Sequence, residues 1–345
     1  MIWLFGICIL TGATVIVGGA TRLTDSGLSI TEWKPLLGAL PPLNHSEWLE
    51  SFHLYQKIPQ FTRVYPHMSL EEYKSIFYWE YLHRNLGRLI GLFFFFPFLF
   101  FLVKRALTRP FIYKLLFGLL LGGAQGVLGW YMVKSGLSER VTVSHFRLAA
   151  HLGLAFIIFA YFWKLLIKLM PQNGFFLRTN KSIRRWIRAL VSILFVQIIW
   201  GAFVAGLRAG YIYPTFPKMG EEWFPFGGLA YEPVLINFIK NAATVQFVHR
   251  WLGLLFLGAL VIFLIKVKSL KPNKNFNRLT WALLSMTVVQ IYLGVFTLLS
   301  GMNFYVALAH QGGALLLFAL ALSTLYIITD QYEICHTREN PVHLD

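Results

Sequence analysis

The stretch EYLHRNLGRLIGL, residues 80–92, decides how this chain is read, because it returns as QFVHRWLGLLFLG at residues 246–258. At a constant offset of 166, His83 matches His249, Arg84 matches Arg250, Leu86 matches Leu252, Gly87 matches Gly253 and Leu89 matches Leu255. A second stretch repeats too: LAAHLGLA (148–155) returns as ALAHQGGA (307–314), pairing His151 with His310 and Gly153 with Gly312. Each half of the chain therefore carries two histidines on apolar, helix-like segments. An imidazole in such a setting has two ring nitrogens to account for, so a duplicated pair asks for a common explanation.

The surroundings of these stretches set the class. Of 345 residues, 57% are hydrophobic and 13% charged, with a mean hydropathy of +0.59, against about 25% charged in soluble proteins. Apolar runs at 2–21, 81–103, 112–133, 147–169, 186–207, 243–265, 279–300 and 303–328 are each near the ~20 residues that cross a bilayer as a helix. The expected fold is an all-α integral membrane protein with eight spans in two pseudo-symmetric four-helix bundles, residues 1–170 and 171–345. The formal charge of +16 does not point to nucleic acid, since the basic residues cluster in short segments between spans. Segments 104–114, 164–188 and 266–278 hold 4, 7 and 5 Lys or Arg and no acid. The acids Asp25, Glu32, Glu47, Glu50, Glu71, Glu72, Glu139, Glu221, Glu222 and Glu232 lie on the other side. The positive-inside rule then puts both termini in the cytoplasm.

Met1 is followed by nineteen uncharged residues without a basic region in front, which reads as a retained first span rather than a signal peptide. With no Arg-rich, Ser-rich leader, the expected location is a bacterial inner membrane. Cys8 and Cys335 are the only cysteines, so no disulfide framework or thiolate metal site is available and a metal would rest on histidine.

With that topology the spans bearing His83, His151, His249 and His310 all enter from the outer face, and the four histidines share one depth near it. The segment 22–79, with Trp33, Trp48, Phe52, Tyr55, Phe61 and Tyr65, reads as a cap over the outer mouth, and 208–242 as a smaller cap. Ser69 followed by Glu72 is a capping box starting a helix of about 34 residues, roughly 50 Å long, which would project outward beyond the bilayer near His83. Gln125, Gln197 and Gln290 each stand four residues before a glycine (Gly129, Gly201, Gly294), which reads as close helix packing with an amide hydrogen bond. The run GGATR (18–22) fits close packing as well. His45, His53, His67, His145, His336 and His343 lie in loops or tails.

Two histidines on different helices of a four-helix bundle can ligate one haem iron from opposite sides. Gly87, Gly153, Gly253 and Gly312 leave room for a flat macrocycle, and Arg84 and Arg250 are candidate partners for carboxylates such as haem propionates. The halves differ at one ionisable position: Glu80, three residues before His83 on the same helical face, is matched by Gln246. A carboxylate beside a haem is a functional candidate. The plainer reading is an ion pair with Arg84, contributing ~0.3–0.5 kcal/mol on an exposed helix.

The motifs VGGATRLTDSGLS (17–29), EWKP (32–35), EYLHRNLGRLIGL (80–92), QGVLGWYMVKSGL (125–137) and FRLAAHLGLA (146–155), with the VHR and AHQGGA stretches, resemble haem A synthases over nearly the whole chain. The similarity is to the branch shared by proteobacteria and mitochondria. It implies an eight-helix enzyme that oxidises a methyl substituent of haem O to the formyl group of haem A by successive hydroxylation. It further implies a substrate-haem site at His83 and His151, a permanent haem b at His249 and His310, and Glu80 as the catalytic carboxylate. Haem O synthase and cytochrome oxidase assembly factors are the implied partners. One branch of the family has a cysteine pair in its first outer loop; residues 22–79 have none, so no thiol relay operates there and the electron donor stays unassigned. Two other classes compete. A bis-histidine dihaem electron-transfer cytochrome would hold two permanent haems, and the Glu80/Gln246 difference speaks against it. A transporter built on internal repeats leaves four co-level histidines unexplained.

Overall fold

The computed structural model describes residues 1–33, 37–138, 140–170, 177 and 179–339, with backbone alone for 37 and 330–339. Part of the EWKP motif, part of the basic segment 164–188, Glu139 and His343 lie outside these residues, as does the side chain of His336. Eleven α-helices are present among the described residues: α1 (Ile2–Leu23), α2 (His45–Gln56), α3 (Pro59–Val64), α4 (Leu70–Val103), α5 (Arg109–Leu137), α6 (His145–Leu169), α7 (Lys181–Gly206), α8 (Asn237–Lys240), α9 (Ala242–Lys268), α10 (Lys274–Leu299) and α11 (Phe304–Glu339). Eight of them, α1, α4, α5, α6, α7, α9, α10 and α11, are long and apolar enough to cross a membrane. The protein is an all-α, multi-pass membrane protein. The spanning helices outrun the apolar stretches because their ends are charged but helix-compatible, as at Lys181, Arg184 and Arg185 of α7.

The chain forms two compact units, residues 2–159 and 160–345, dividing within α6. In the first unit, α4 is a single helix of 34 residues opened by a complete capping box, in which Ser69 accepts from the Glu72 backbone and Glu72 reaches back to Ser69. Its first turns are the floor of the cap. Trp48, Phe52 and Tyr55 of α2 bury against Tyr73 and Phe77 of α4, together with Leu28 and Ile58. The rings meet edge-on or tilted at 4.9–6.4 Å, the arrangement their quadrupoles favour. The cap is hinged to the end of α1 at Asp25, which adopts a left-handed backbone (φ 55°). Its carboxylate accepts from Tyr65 and pairs with Arg22, and its carbonyl accepts from Gln60. Trp33, by contrast, is exposed.

In the second unit the segment 207–241 follows the same opening. Arg208 takes the left-handed conformation (φ 52°) seven residues after Gly201, as Asp25 does seven residues after Gly18. Each is followed by a 3-10 turn, Ser26–Leu28 and Ala209–Tyr211. This smaller cap closes on Asn237, whose side chain bonds Tyr231 and Val234 backbone groups and Asn241.

Candidate functional site

Each of the four histidines occupies a station built the same way. The ring lies across a glycine on the preceding spanning helix, so close that a Cβ there would meet its Cε1. The pairs are His83 of α4 over Gly18 of α1 (2.8 Å), His151 of α6 over Gly129 of α5 (2.9 Å), His249 of α9 over Gly201 of α7 (3.2 Å) and His310 of α11 over Gly294 of α10 (2.9 Å). The glutamine four residues before each of the last three glycines donates its amide to the backbone carbonyl of that histidine. The distances are 3.0 Å for Gln125–His151, 2.9 Å for Gln197–His249 and 2.8 Å for Gln290–His310. Thr14 stands at this position for His83, but its hydroxyl donates to the Leu10 carbonyl (2.8 Å) and its backbone lies against the ring, as the backbones of Gln197 and Gln290 do against theirs. The Gln–Gly pairs are thus packing and hydrogen-bonding elements, as their spacing suggests, but what they pack and bond is the histidine. The glycines that cradle the rings are on the neighbouring helix. Of those that follow the histidines in sequence, Gly87 borders open space and Gly253 lies against the Gln197 amide.

The imidazoles have unmet valence. Nδ1 of all four is buried without a hydrogen bond, while each residue as a whole is only half-buried. His249 and His310 face each other with ring centroids 6.5 Å apart and planes at 88°. Two metal–imidazole bonds of about 2 Å, with roughly 1 Å from each nitrogen to its ring centre, span about 6 Å, so this pair fits one iron between two axial nitrogens. His83 and His151 lie within electrostatic range of each other in the first unit.

Glu80 is one turn before His83 and 2% exposed. Its Oε1 accepts from Arg84 Nη2 (2.6 Å) and Nε (3.0 Å); its Oε2 accepts from the Ser29 hydroxyl (2.8 Å) and the Ile30 amide (2.8 Å). The ion pair with Arg84 is real, but it is buried rather than exposed. Arg84 also donates to the Ile30 and Glu32 carbonyls. In the second unit Arg250 donates to the Tyr213 and Lys218 carbonyls, and Gln246 donates to the same Tyr213 carbonyl. Ile30 and Tyr213 occupy equivalent places, each five residues beyond its left-handed residue. Both arginines therefore tie a cap to a histidine-bearing helix. Only the first unit adds a carboxylate and a hydroxyl; Ile212 stands where Ser29 would be, and the Gln246 side-chain oxygen is buried without a partner. Of the histidines expected in loops, His45 and His53 lie in α2 and His145 opens α6, because the cap folds its own short helices; His45, His53 and His67 are exposed. Ser29, Ile30 and Thr14 escape the sequence reading, whereas Gly18 lies in GGATR, read as a close-packing run, and what packs on it is His83.

These features define a class: a polytopic membrane protein with four glycine-cradled histidines, two in each unit. The chain belongs to the cytochrome oxidase assembly protein family COX15-CtaA, whose model matches residues 1–322. Similar proteins named heme A synthase occur in Nitrosospira multiformis (48% identical over 93% of this chain and 91% of that protein) and Parvibaculum lavamentivorans (46%, 93% and 91%). That of Wolbachia pipientis wMel is 40% identical over 98% of this chain and 92% of its own length.

Proposed function

We propose that this chain is a haem A synthase that oxidises a methyl substituent of haem O to the formyl group of haem A, with its two halves doing different work. Residues 1–170 hold the substrate, haem O, between His83 and His151. Residues 171–345 hold a resident haem b between His249 and His310. Bound there, haem b supplies a one-electron redox centre. The observation that carries this division is the asymmetry of two otherwise matching stations: a buried, four-fold hydrogen-bonded carboxylate stands beside one histidine pair and an amide beside the other. The enzyme is favoured over an electron-transfer cytochrome for the same reason, since two permanent haems would need no such difference.

Glu80 acts here as a fixed negative charge. All its acceptor positions are used, so a proton could be taken only by displacing a donor. A charge held this way stabilises positive charge developing at the methyl carbon being oxidised, without reorganising at that moment. The orientation follows the basic segments: both termini lie in the cytoplasm of a bacterial inner membrane, and the caps and histidines lie toward the opposite face. The partners are haem O synthase, which delivers substrate, and cytochrome oxidase assembly factors, which receive product.

Extraction of pigments from the purified protein and its variants, with chromatographic separation of haems B, O and A, tests the scheme. Wild type is expected to yield B with O or A. His249→Ala and His310→Ala should lose haem B, whereas His83→Ala and His151→Ala should keep it and make no haem A. Glu80→Gln should keep B and O and stall before A, with conversion down at least 100-fold. Haem B alone from wild type in the presence of haem O would support the electron-transfer cytochrome instead.

A further inference from the structure

A cavity of about 270 Å³ opens in the first unit beside the Glu80 clamp, walled by Thr31, Trp33, Arg84, Trp130 and Lys134, with the exposed Glu32 as its one acid. Its position follows from the stations: Arg84 directly follows His83, and Trp130 directly follows Gly129, the glycine beneath His151. The cavity is therefore walled by the helix that carries His83 and by the helix whose Gly129 underlies His151. Its two cations lie over aromatic faces, Lys134 Nζ 4.8 Å from the Trp130 ring centre and the Arg84 guanidinium 5.6 Å from that of Trp33. The donors of Arg84 are already engaged by Glu80 and by the Ile30 and Glu32 carbonyls. Lys134 has no ion pair among the described residues, and its ammonium is the uncommitted charge of the site.

The second unit lacks this chemistry. In the register set by Gln125–Gly129 and Gln290–Gly294, Trp130 corresponds to Val295 and Lys134 to Leu299. Met302, at the register of Leu137, packs against Gly210. Arg84 keeps a counterpart in Arg250, and Trp33, at the register of the caps, an aromatic one in Phe216; Trp130 and Lys134 keep none. The Trp130–Lys134 pair, found only in the half with the carboxylate, belongs to the ligand that only that half handles.

We propose that this cavity takes a propionate carboxylate of haem O, with Lys134 as its counter-ion and the Trp33 and Trp130 rings on either side. This rests on the assignment of the substrate to the first half. An ammonium–carboxylate hydrogen bond contributes about 1.5–3 kcal/mol, roughly tenfold or more in affinity. A lysine, unlike a fork-shaped guanidinium, can follow the carboxylate as the macrocycle enters and leaves.

The test is optical titration of the full-length, haem b-containing protein in neutral detergent with haem O and with its dipropionate dimethyl ester. Wild type is expected to bind the free acid about tenfold more tightly than the ester. Lys134→Leu, which copies the second half, should weaken the acid about tenfold and leave the ester unchanged, while Lys134→Arg keeps most of the preference. An unchanged haem b spectrum shows that the variants are folded. An acid-to-ester ratio in Lys134→Leu equal to that of wild type overturns the proposal, as does equal wild-type affinity for the two, the result expected if an anionic lipid headgroup fills the cavity. If wild type binds neither compound, the substrate assignment itself falls, and this proposal with it.

Discussion

At the level of single residues, the difference between the two halves comes down to what meets the ends of a carboxylate. Ser29 supplies one of the two bonds to Glu80 Oε2, and its counterpart is Ile212. Removing a hydrogen bond to a charged group costs about 1.5–3 kcal/mol. Ser29→Ala is therefore expected to lower haem A formation about tenfold while haem b and the bound amount of haem O stay as in wild type. Ser29→Thr should restore most of the rate, and full activity in the alanine variant would make the hydroxyl a bystander. The histidines and Glu80 were legible in the sequence because they lie in two repeated stretches, with offsets of 166 for His83 and His249 and 159 for His151 and His310. Ser29 and Ile30 were not, for two physical reasons. The clamp uses a backbone amide and carbonyl, which carry no side-chain signature, and its two copies are related by an offset of 183 rather than 166, because the caps between differ in length.

Among the helices, α4 shows what sequence can disclose: capping box, length and projection all follow from local chemistry. The short α2 and α3 did not announce themselves, since their apolar residues serve a small cap core and are interleaved with prolines and charges. Helix pairing was read only by half. A glycine spaced from a glutamine signals close approach, yet which side chain fills the gap depends on the neighbouring helix. That geometry makes a graded prediction. A methyl at Gly294 would stand 2.9 Å from His310 Cε1, whereas one at Gly201 would stand 3.2 Å from His249 Cε1, a contact that a few tenths of an ångström would relieve. Gly294→Ala is expected to displace the imidazole and lower haem b content several-fold, and Gly201→Ala to lower it less, as read by the pyridine haemochrome of the purified proteins. The reverse order would mean that the rings are not held by these glycines.

Over the whole molecule, composition and hydropathy were enough to give eight spans, because they are sums over many residues that tolerate local error. The proposed sidedness rests on 16 basic residues in three segments without an acid, a bias that orients helices during insertion. Fusions at residues 107, 270 and the C-terminus are expected to fluoresce with a cytoplasm-folding reporter and stay silent with a periplasmic phosphatase, and fusions near 40 and 225 to do the opposite. Phosphatase activity at the C-terminus would invert the scheme and put the caps in the cytoplasm.

The arginine tethers, Arg84 on Ile30 and Arg250 on Tyr213, have a consequence for how such a protein could diverge. The backbone socket exists twice, and the second copy is two substitutions from the first: Ile212→Ser and Gln246→Glu would furnish it with the same hydroxyl and carboxylate beside an arginine already in place. On the proposed division of labour, specialising one half calls for no new scaffold, only for one of two matching sockets to be filled with charge and the other kept neutral, a difference that can be reversed within a single chain.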